Sequence, residues 1–170
     1  MDRAARFFLE QFPGNVFYAV KANPDPWILR GLWQAGVRRF DVASITEVRT
    51  AAATVPQAEL AFMHPIKPAS AIKEAYEQHG VRIFAVDSMR ELSKLEEATG
   101  GAEDLTICVR LRVPSKSAAI PLASKFGVDE ASSSELLAKA RGLAHRLGIA
   151  FHVGSQTSDP AAYAHAMDLA

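Results

Sequence analysis

The chain has 170 residues, and its 19 lysine and arginine residues balance its 19 aspartate and glutamate residues, so the formal net charge is zero. This balance gives no sign of the basic surface that nucleic acids or anionic membranes bind, so we expect neither partner. Hydrophobic residues make up 49% of the chain, which is typical of a globular protein and excludes a disordered one. No apolar run is long enough to span a bilayer.

The one cysteine, Cys108, lies in an apolar run at 105–111 and cannot form a disulfide within the chain. We expect a small core residue and a reducing, cytoplasmic environment. The sequence contains no P-loop, no G-x-G-x-x-G and no Cys/His spacing typical of a metal site, so neither a dinucleotide nor a metal is predicted.

Short apolar runs alternate with amphipathic stretches along the chain. The runs predict strands at 16–20, 40–43, 60–63, 81–86, 105–113 and 149–153. The amphipathic stretches predict helices at 4–12, 27–34, 46–53, 70–78, 89–99, 134–147 and 160–170. Capping boxes are indicated by Ser44, Ser88 and Ser132, each followed three residues later by Glu, and helix stops by Gly36, Gly80, Gly100 and Gly148.

Strand and helix alternation with short connections predicts an α/β fold, with a parallel sheet covered by helices. A barrel and an open doubly wound sheet both satisfy the pattern. The six predicted strands are two fewer than a (β/α)8 TIM-type barrel has, and both ends read as interrupted helices. We therefore expect 1–170 to be one partial barrel domain. The long connection at 114–127 fits a lid as well as it fits a surface insertion.

Lys21 is the most informative single residue. It follows the apolar run 16–20, which we interpret as a strand buried on both faces, and the turn signal Asn23-Pro24 comes directly after it. Apolar surroundings at the end of a barrel strand favour a neutral, nucleophilic amine, which makes Lys21 a candidate for a Schiff base. A surface lysine that caps the strand is an equally good interpretation of these residues alone.

Polar residues recur where the other strands are predicted to end. They are Asp41, Ser44, His64, Asp87, Arg110, Arg112, His152, Ser155 and Gln156. Each alone has a structural interpretation: Glu47 completes a capping box with Ser44, and a lone His152 is more often a core residue than a catalytic one. In a barrel these positions converge on one mouth, which favours a site.

Six motifs in order resemble the ornithine/diaminopimelate/arginine decarboxylase family of pyridoxal-phosphate enzymes, and bacterial ornithine or lysine decarboxylases among them. The motifs are Tyr18-Ala19-Val20-Lys21-Ala22-Asn23, Phe40-Asp41-Val42-Ala43-Ser44, His64-Pro65-Ile66-Lys67, Phe84-Ala85-Val86-Asp87-Ser88, Lys125-Phe126-Gly127 and His152-Val153-Gly154-Ser155-Gln156. The resemblance implies decarboxylation of a basic amino acid, ornithine or lysine preferred, to a diamine in polyamine biosynthesis. It also implies a homodimer.

The resemblance also implies roles for single residues. Lys21 matches the lysine that forms the internal aldimine with pyridoxal 5'-phosphate, and His152 the histidine that stacks on the cofactor ring. Ser155 matches a hydroxyl that binds the cofactor phosphate. Asp41 matches an aspartate close to the lysine, and Glu47 and Arg110 match a pair that lines the pocket. Lys125 falls in the loop that closes the site in this family.

Parts of the family's pattern have no counterpart in these residues. The resemblance implies that four such parts lie beyond Ala170. They are the glycine-rich phosphate cradle, the glutamate that pairs with the cofactor ring nitrogen, the cysteine and aspartate that a partner subunit inserts, and the second, β-rich domain. Three alternatives therefore stay open: a single-barrel protein that carries pyridoxal phosphate, an inactive fragment and an amino-acid racemase. The His152–Gln156 motif argues against the racemase.

Overall fold

A computed structural model describes residues 2–114, 118–120 and 122–170. The helices are α1 (Asp2–Gln11), α2 (Pro26–Gln34), α3 (Ile45–Thr54), α4 (Ala69–His79), α5 (Met89–Ala98), α6 (Glu130–Leu143) and α7 (Ala161–Asp168). The strands are β1 (Phe17–Ala19), β2 (Arg39–Val42), β3 (Glu59–Phe62), β4 (Ile83–Val86), β5 (Thr106–Arg110), β6 (Ala118–Ile120), β7 (Arg146–Ala150) and β8 (Ser155–Thr157). The chain divides into two compact units, Met1–Ile83 and Phe84–Ala170.

In the first unit, β1, β2 and β3 pair in parallel in chain order. Ala19 lies opposite Asp41, and Asp41 lies opposite Ala61. Parallel neighbours need a crossover connection, which α2 and α3 provide. The carboxyl ends of the three strands therefore lie along one edge of this sheet.

The core of the first unit is built from side chains that alternate along β2 and repeat along the helices. Phe40 and Val42 are fully buried, while Arg39 and Asp41 between them are half-buried. Leu29 of α2 and Val48 of α3 are also fully buried. This alternation fixes which face of β2 carries Asp41.

In the second unit, β4 lies beside β5, and β5 pairs in parallel with β7. Arg110 at the end of β5 lies opposite Ala150 at the end of β7. A separate antiparallel pair joins β6 to β8, with Ile120 opposite Ser155. This unit also has a small cluster of buried apolar side chains, Val113, Val153 and Ala166.

Arginine side chains join helix ends to the following strands twice in the first unit. The guanidinium of Arg38 lies 4.2 Å from the ring centroid of Trp33 and that of Arg82 lies 4.0 Å from the ring centroid of Tyr76. Each guanidinium also donates to the backbone carbonyl of its aromatic partner. Each guanidinium thus contacts both the face of an aromatic ring and a backbone carbonyl near the end of a helix.

Several predicted start and stop signals are confirmed. The hydroxyl oxygens of Ser44 and Ser88 accept hydrogen bonds from the backbone N–H groups of Glu47 and Glu91, at 3.2 and 3.3 Å. Positive φ angles occur at three predicted helix stops, Gly36, Gly80 and Gly100. Among the residues that the structure describes, no helix is long and apolar enough to cross a membrane.

The predicted boundaries of the last helix–strand unit are wrong. The helix begins at Glu130 and its N-cap is Asp129, whose carboxylate accepts from the backbone N–H of Ser132 at 2.9 Å. Ser132 is therefore a donor to the cap and not the cap itself, and this hydrogen bond lowers the pKa of Asp129. Gly148 does not stop the helix but lies inside β7, where a Cβ would be 3.2 Å from the sulfur of Cys108.

Two other strand predictions need correction. Residues Phe17–Ala19 of β1 are half-buried, not buried on both faces, and fully buried Val20 already belongs to a 3-10 turn. The strand predicted at 105–113 ends at Arg110, because Leu111 forms an isolated bridge to Val128 instead. The short strands β6 and β8 were not predicted, since three-residue strands carry little periodicity.

The ion pair between α3 and α4 predicts a pH dependence. Both carboxylate oxygens of Glu74 accept hydrogen bonds from Arg49, at 2.6 and 2.7 Å, and these bonds hold the pKa of Glu74 below its usual value. Because the pKa of Glu74 is lower in the native state than in the unfolded state, its ionised carboxylate stabilises the fold at pH values above the unfolded-state pKa. This stabilisation is lost as the pH falls through the native pKa. We expect Glu74→Gln to lower the melting temperature at neutral pH, and to lower it by less at an acidic pH below the usual pKa of the carboxyl. Glu77→Gln, which changes an exposed i,i+4 pair of 3.9 Å, is the control. An equal loss at both pH values would contradict the assignment.

Candidate active site

Lys21 lies in the 3-10 turn Val20–Ala22 that directly follows β1. Fully buried Val20 anchors this turn, while Lys21 is exposed. The chain then turns at Asn23, whose side-chain oxygen accepts from the backbone N–H of Asp25 at 3.1 Å. Lys21 is therefore held just beyond the carboxyl end of β1, inside a 3-10 turn, and is not the last residue of the strand.

Asp41 and Glu47 lie at the neighbouring strand end in the same unit. Asp41 is opposite Ala19, two residues before Lys21. A side-chain oxygen of Glu47 accepts from the backbone N–H of Ala43 at 2.9 Å, which folds the carboxylate back onto the end of β2. The structure thus brings Lys21, Asp41 and Glu47 to adjacent strand ends, and Glu47 serves the helix start as well.

A buried lysine, Lys67, lies in the connection after β3 at the same edge. Only 1% of its surface is exposed. Its motif His64-Pro65-Ile66-Lys67 is part of the family resemblance, but no role was predicted for Lys67. A lysine between two prolines carries no sequence signal of burial.

Arg110 and the Lys125-Phe126-Gly127 turn contact each other in the second unit. The guanidinium carbon of Arg110 lies 5.2 Å from the ring centroid of Phe126. The backbone N–H of Gly127 donates to the carboxylate of Asp87 at 3.0 Å. The turn is therefore fastened to the ends of β4 and β5, and Asp87, which was predicted to lie at a strand end, contacts this turn.

Lys125 itself is exposed. The segment predicted as irregular, 114–127, contains β6 and this turn, and its residues 115–117 and 121 lie outside the described residues. The predicted role of the segment as a lid stays a prediction.

His152 lies two residues beyond the end of β7 and is half-buried. Its Nδ1 accepts a hydrogen bond from the backbone N–H of Gly154 at 2.9 Å. Because Nδ1 is the acceptor, the proton of a neutral ring is on Nε2. Arg110 is opposite Ala150, so Arg110 and His152 belong to neighbouring strand ends.

Ser155 opens β8, directly after the tight turn at Gly154. Gly154 has φ of +100°, and a Cβ there would lie 2.3 Å from the Cβ of Ala118. Ser155 pairs with Ile120 of β6. Ser155 therefore directly follows a tight backbone turn in which there is no room for a side chain at residue 154.

Cys108 was predicted to be a small core residue, but it is only half-buried. It lies in β5, opposite Gly148 of β7, and burial raises the pKa of its thiol. A thiol with a raised pKa is a poor nucleophile at neutral pH.

Comparison with solved structures defines the class of the fold. The crystal structure of an SrLDC mutant in complex with PLP matches with a TM-score of 0.86 and 33% identity, over 99% of this chain and 43% of that chain. The fold is therefore that of the barrel domain of pyridoxal-phosphate decarboxylases, which confirms the α/β barrel prediction.

The sequence comparisons place the chain within that class. The family of the pyridoxal-dependent decarboxylase, pyridoxal binding domain, matches residues 1–170, and the chain belongs to this family. The lysine/ornithine decarboxylase of Selenomonas ruminantium is 38% identical over 156 residues, which are 90% of this chain and 38% of that protein. Ornithine decarboxylase 2 of Drosophila melanogaster is 38% identical over 175 residues, covering 100% of this chain and 43% of that protein.

These matches confirm the family and its cofactor, pyridoxal 5'-phosphate. The chain spans about two fifths of the length of these relatives, 38% and 43%. The roles of the individual site residues stay predictions, because no comparison assigns them: Lys21, Asp41, Glu47, Arg110, His152 and Ser155.

The Lys125-Phe126-Gly127 turn generates a stability prediction. Gly127 has φ of +97°, and a Cβ there would lie 2.6 Å from the backbone nitrogen of Arg112. We expect Gly127→Ala to destabilise the chain by about 1–3 kcal/mol in urea unfolding, because backbone must move. The matched control is Gly142→Ala on α6, where a Cβ meets nothing within 4 Å and helix propensity favours alanine. Equal stability of the two variants would contradict the close approach.

Proposed function

We propose that the chain is the cofactor-binding part of an enzyme that decarboxylates a basic amino acid, ornithine or lysine preferred, to a diamine for polyamine biosynthesis. The observation that carries the proposal is the exposed Lys21 directly after β1, with Asp41 on the adjacent strand, in a chain of the pyridoxal-binding family. The relatives named as lysine/ornithine and ornithine decarboxylases support the substrate class.

The residues present fit pyridoxal phosphate by their chemistry. The cofactor has an aldehyde, which needs a primary amine such as the exposed Lys21. It has a phosphate, which hydroxyl and backbone N–H donors such as those at Ser155 bind. It has a flat aromatic ring, against which the imidazole of His152 can pack. These matches concern the donor set and not an arrangement of the residues around the cofactor.

Each residue has a proposed task. The amine of Lys21 would hold pyridoxal phosphate, and its Nζ would hold and return a proton during the reaction. Asp41 supplies negative charge beside Lys21, because Asp41 lies opposite Ala19 on the adjacent strand. Glu47 and Arg110 are each proposed to contact the cofactor, and the guanidinium carbon of Arg110 lies 5.2 Å from the ring centroid of Phe126.

His152 and Ser155 have binding tasks in the same proposal. His152 packs on the cofactor ring, with its orientation fixed by the hydrogen bond from Gly154. Ser155 donates its hydroxyl to the phosphate. When bound, pyridoxal phosphate supplies the electron sink that accepts the electron pair left as carbon dioxide departs.

The homodimer and the cytoplasmic location are further parts of the proposal. The dimer is supported only by the family resemblance, and the location by the single cysteine. A carrier of pyridoxal phosphate without decarboxylase activity is the competing function. The match to a pyridoxal binding domain supports binding of the cofactor in both functions.

Absorbance spectroscopy with added pyridoxal phosphate tests the role of Lys21. We expect the wild-type chain to develop a long-wavelength band that survives dialysis, because a covalent link to an amine extends the conjugation of the cofactor. Lys21→Ala should show only the spectrum of free cofactor. Lys73→Ala, which removes an exposed lysine of α4, should keep the band.

The same samples separate the decarboxylase from the carrier. Release of labelled carbon dioxide from ornithine or lysine, dependent on Lys21, supports the enzyme. A dialysis-resistant band without carbon dioxide release supports the carrier. A band that persists in Lys21→Ala contradicts the assignment of Lys21.

A further inference from the structure

The burial of Lys67 is unusual for a lysine. With 1% of its surface exposed, it is among the largest fully buried side chains of the described residues. A buried ammonium is costly unless polar groups surround it. The ammonium of Lys67 therefore needs acceptors in this loop, and the buried carbonyl groups of the loop need hydrogen-bond donors.

The two prolines of this loop explain that need. Pro65 and Pro68 have no backbone N–H, so the connection between β3 and α4 is poor in donors. The ammonium of Lys67 donates to the carbonyl of His64 at 2.8 Å and to the carbonyl of Pro65 at 3.1 Å. The loop from His64 to Lys67 is thus closed on itself by one side chain.

The aromatic ring of Phe62 lies close to the ammonium of Lys67. Lys67 Nζ lies 5.6 Å from the centroid of the Phe62 ring, which is 1% exposed and belongs to β3. Contact with an aromatic face stabilises a desolvated cation. The loop is therefore fastened to the buried part of the strand that precedes it.

The closed loop also fixes the ring of His64. Its Nδ1 lies 2.8 Å from the carbonyl oxygen of Ile66 and 3.2 Å from the Ile66 backbone nitrogen. A protonated Nδ1 donates to the oxygen, and an unprotonated one accepts from the N–H group. In either state the Nδ1 edge faces the loop, so Nε2, at the other edge of the ring, faces away from it.

His64 lies at the same strand-end edge as the proposed cofactor lysine. Val42 is opposite Phe62, and the backbone N–H of Met63 donates to the carbonyl of Val42 at 3.1 Å. His64 follows Met63 directly, just beyond the end of β3. It therefore extends the row of strand ends that carries Lys21 and Asp41, within the first unit.

We propose that Lys67 is a positioning residue, which fixes the His64–Lys67 loop so that the imidazole of His64 contacts the pyridoxal phosphate bound at Lys21. The inference rests on the proposed function, since it requires that this cofactor bind. Lys67 acts through His64 and does not itself contact the cofactor. The expected consequence is that the two residues contribute to cofactor affinity as one unit.

A double-mutant cycle on cofactor binding tests this coupling. The variants are Lys67→Met, His64→Ala and the double variant, with Lys73→Met as the control for loss of a lysine charge. We expect each single variant to weaken pyridoxal phosphate binding about tenfold and the double variant to be no weaker than either, because non-additivity marks residues that act together. Losses that multiply in the double variant, or wild-type affinity in Lys67→Met, would overturn the proposal.

Histidine nitrogen NMR of the wild-type full chain gives a second readout that needs no activity and no variant of Lys67. Addition of pyridoxal phosphate should shift the Nε2 resonance of His64, assigned by its loss in His64→Ala. An unchanged resonance in a chain that develops the long-wavelength band overturns the inference while the proposed function stands. A wild-type chain that develops no band overturns both.

Discussion

Parallel strand pairing in a fixed register is the constraint on which the candidate site depends. In the first unit it sets Ala19 opposite Asp41, so that Lys21, two residues later, follows the end of one strand beside a carboxylate on the next. In the second unit it sets Arg110 opposite Ala150, two residues before His152. A slip by one residue in either pair would turn these side chains to the other face of the sheet and remove the site from that unit.

Local chemistry explains which features the sequence could predict. The Ser44 and Ser88 caps depend on atoms three residues away, so their patterns identify them. The same pattern at Ser132 is misleading because Asp129, with a carboxylate in reach of the Ser132 N–H, competes for the cap. The site positions were predicted as strand ends because the alternation of apolar runs is strong on both sides of them.

Long-range contacts explain what could not be predicted. Gly148 looks like a helix stop in the sequence, yet its lack of a side chain serves the close approach of Cys108 from the neighbouring strand. The pairing of β6 with β8 joins segments more than thirty residues apart with only three residues in each. The burial of Lys67 depends on the path of a loop with two prolines, which brings the carbonyls of His64 and Pro65 within reach of its ammonium.

The central claim is that Lys21 is the residue that holds the cofactor. The most direct measurement is borohydride reduction of the full chain with bound pyridoxal phosphate, followed by mass spectrometry of its peptides. We expect one stable adduct on the peptide that contains Lys21, and none on peptides that contain Lys67 or Lys73. An adduct on another lysine, with Lys21 unmodified, would contradict it.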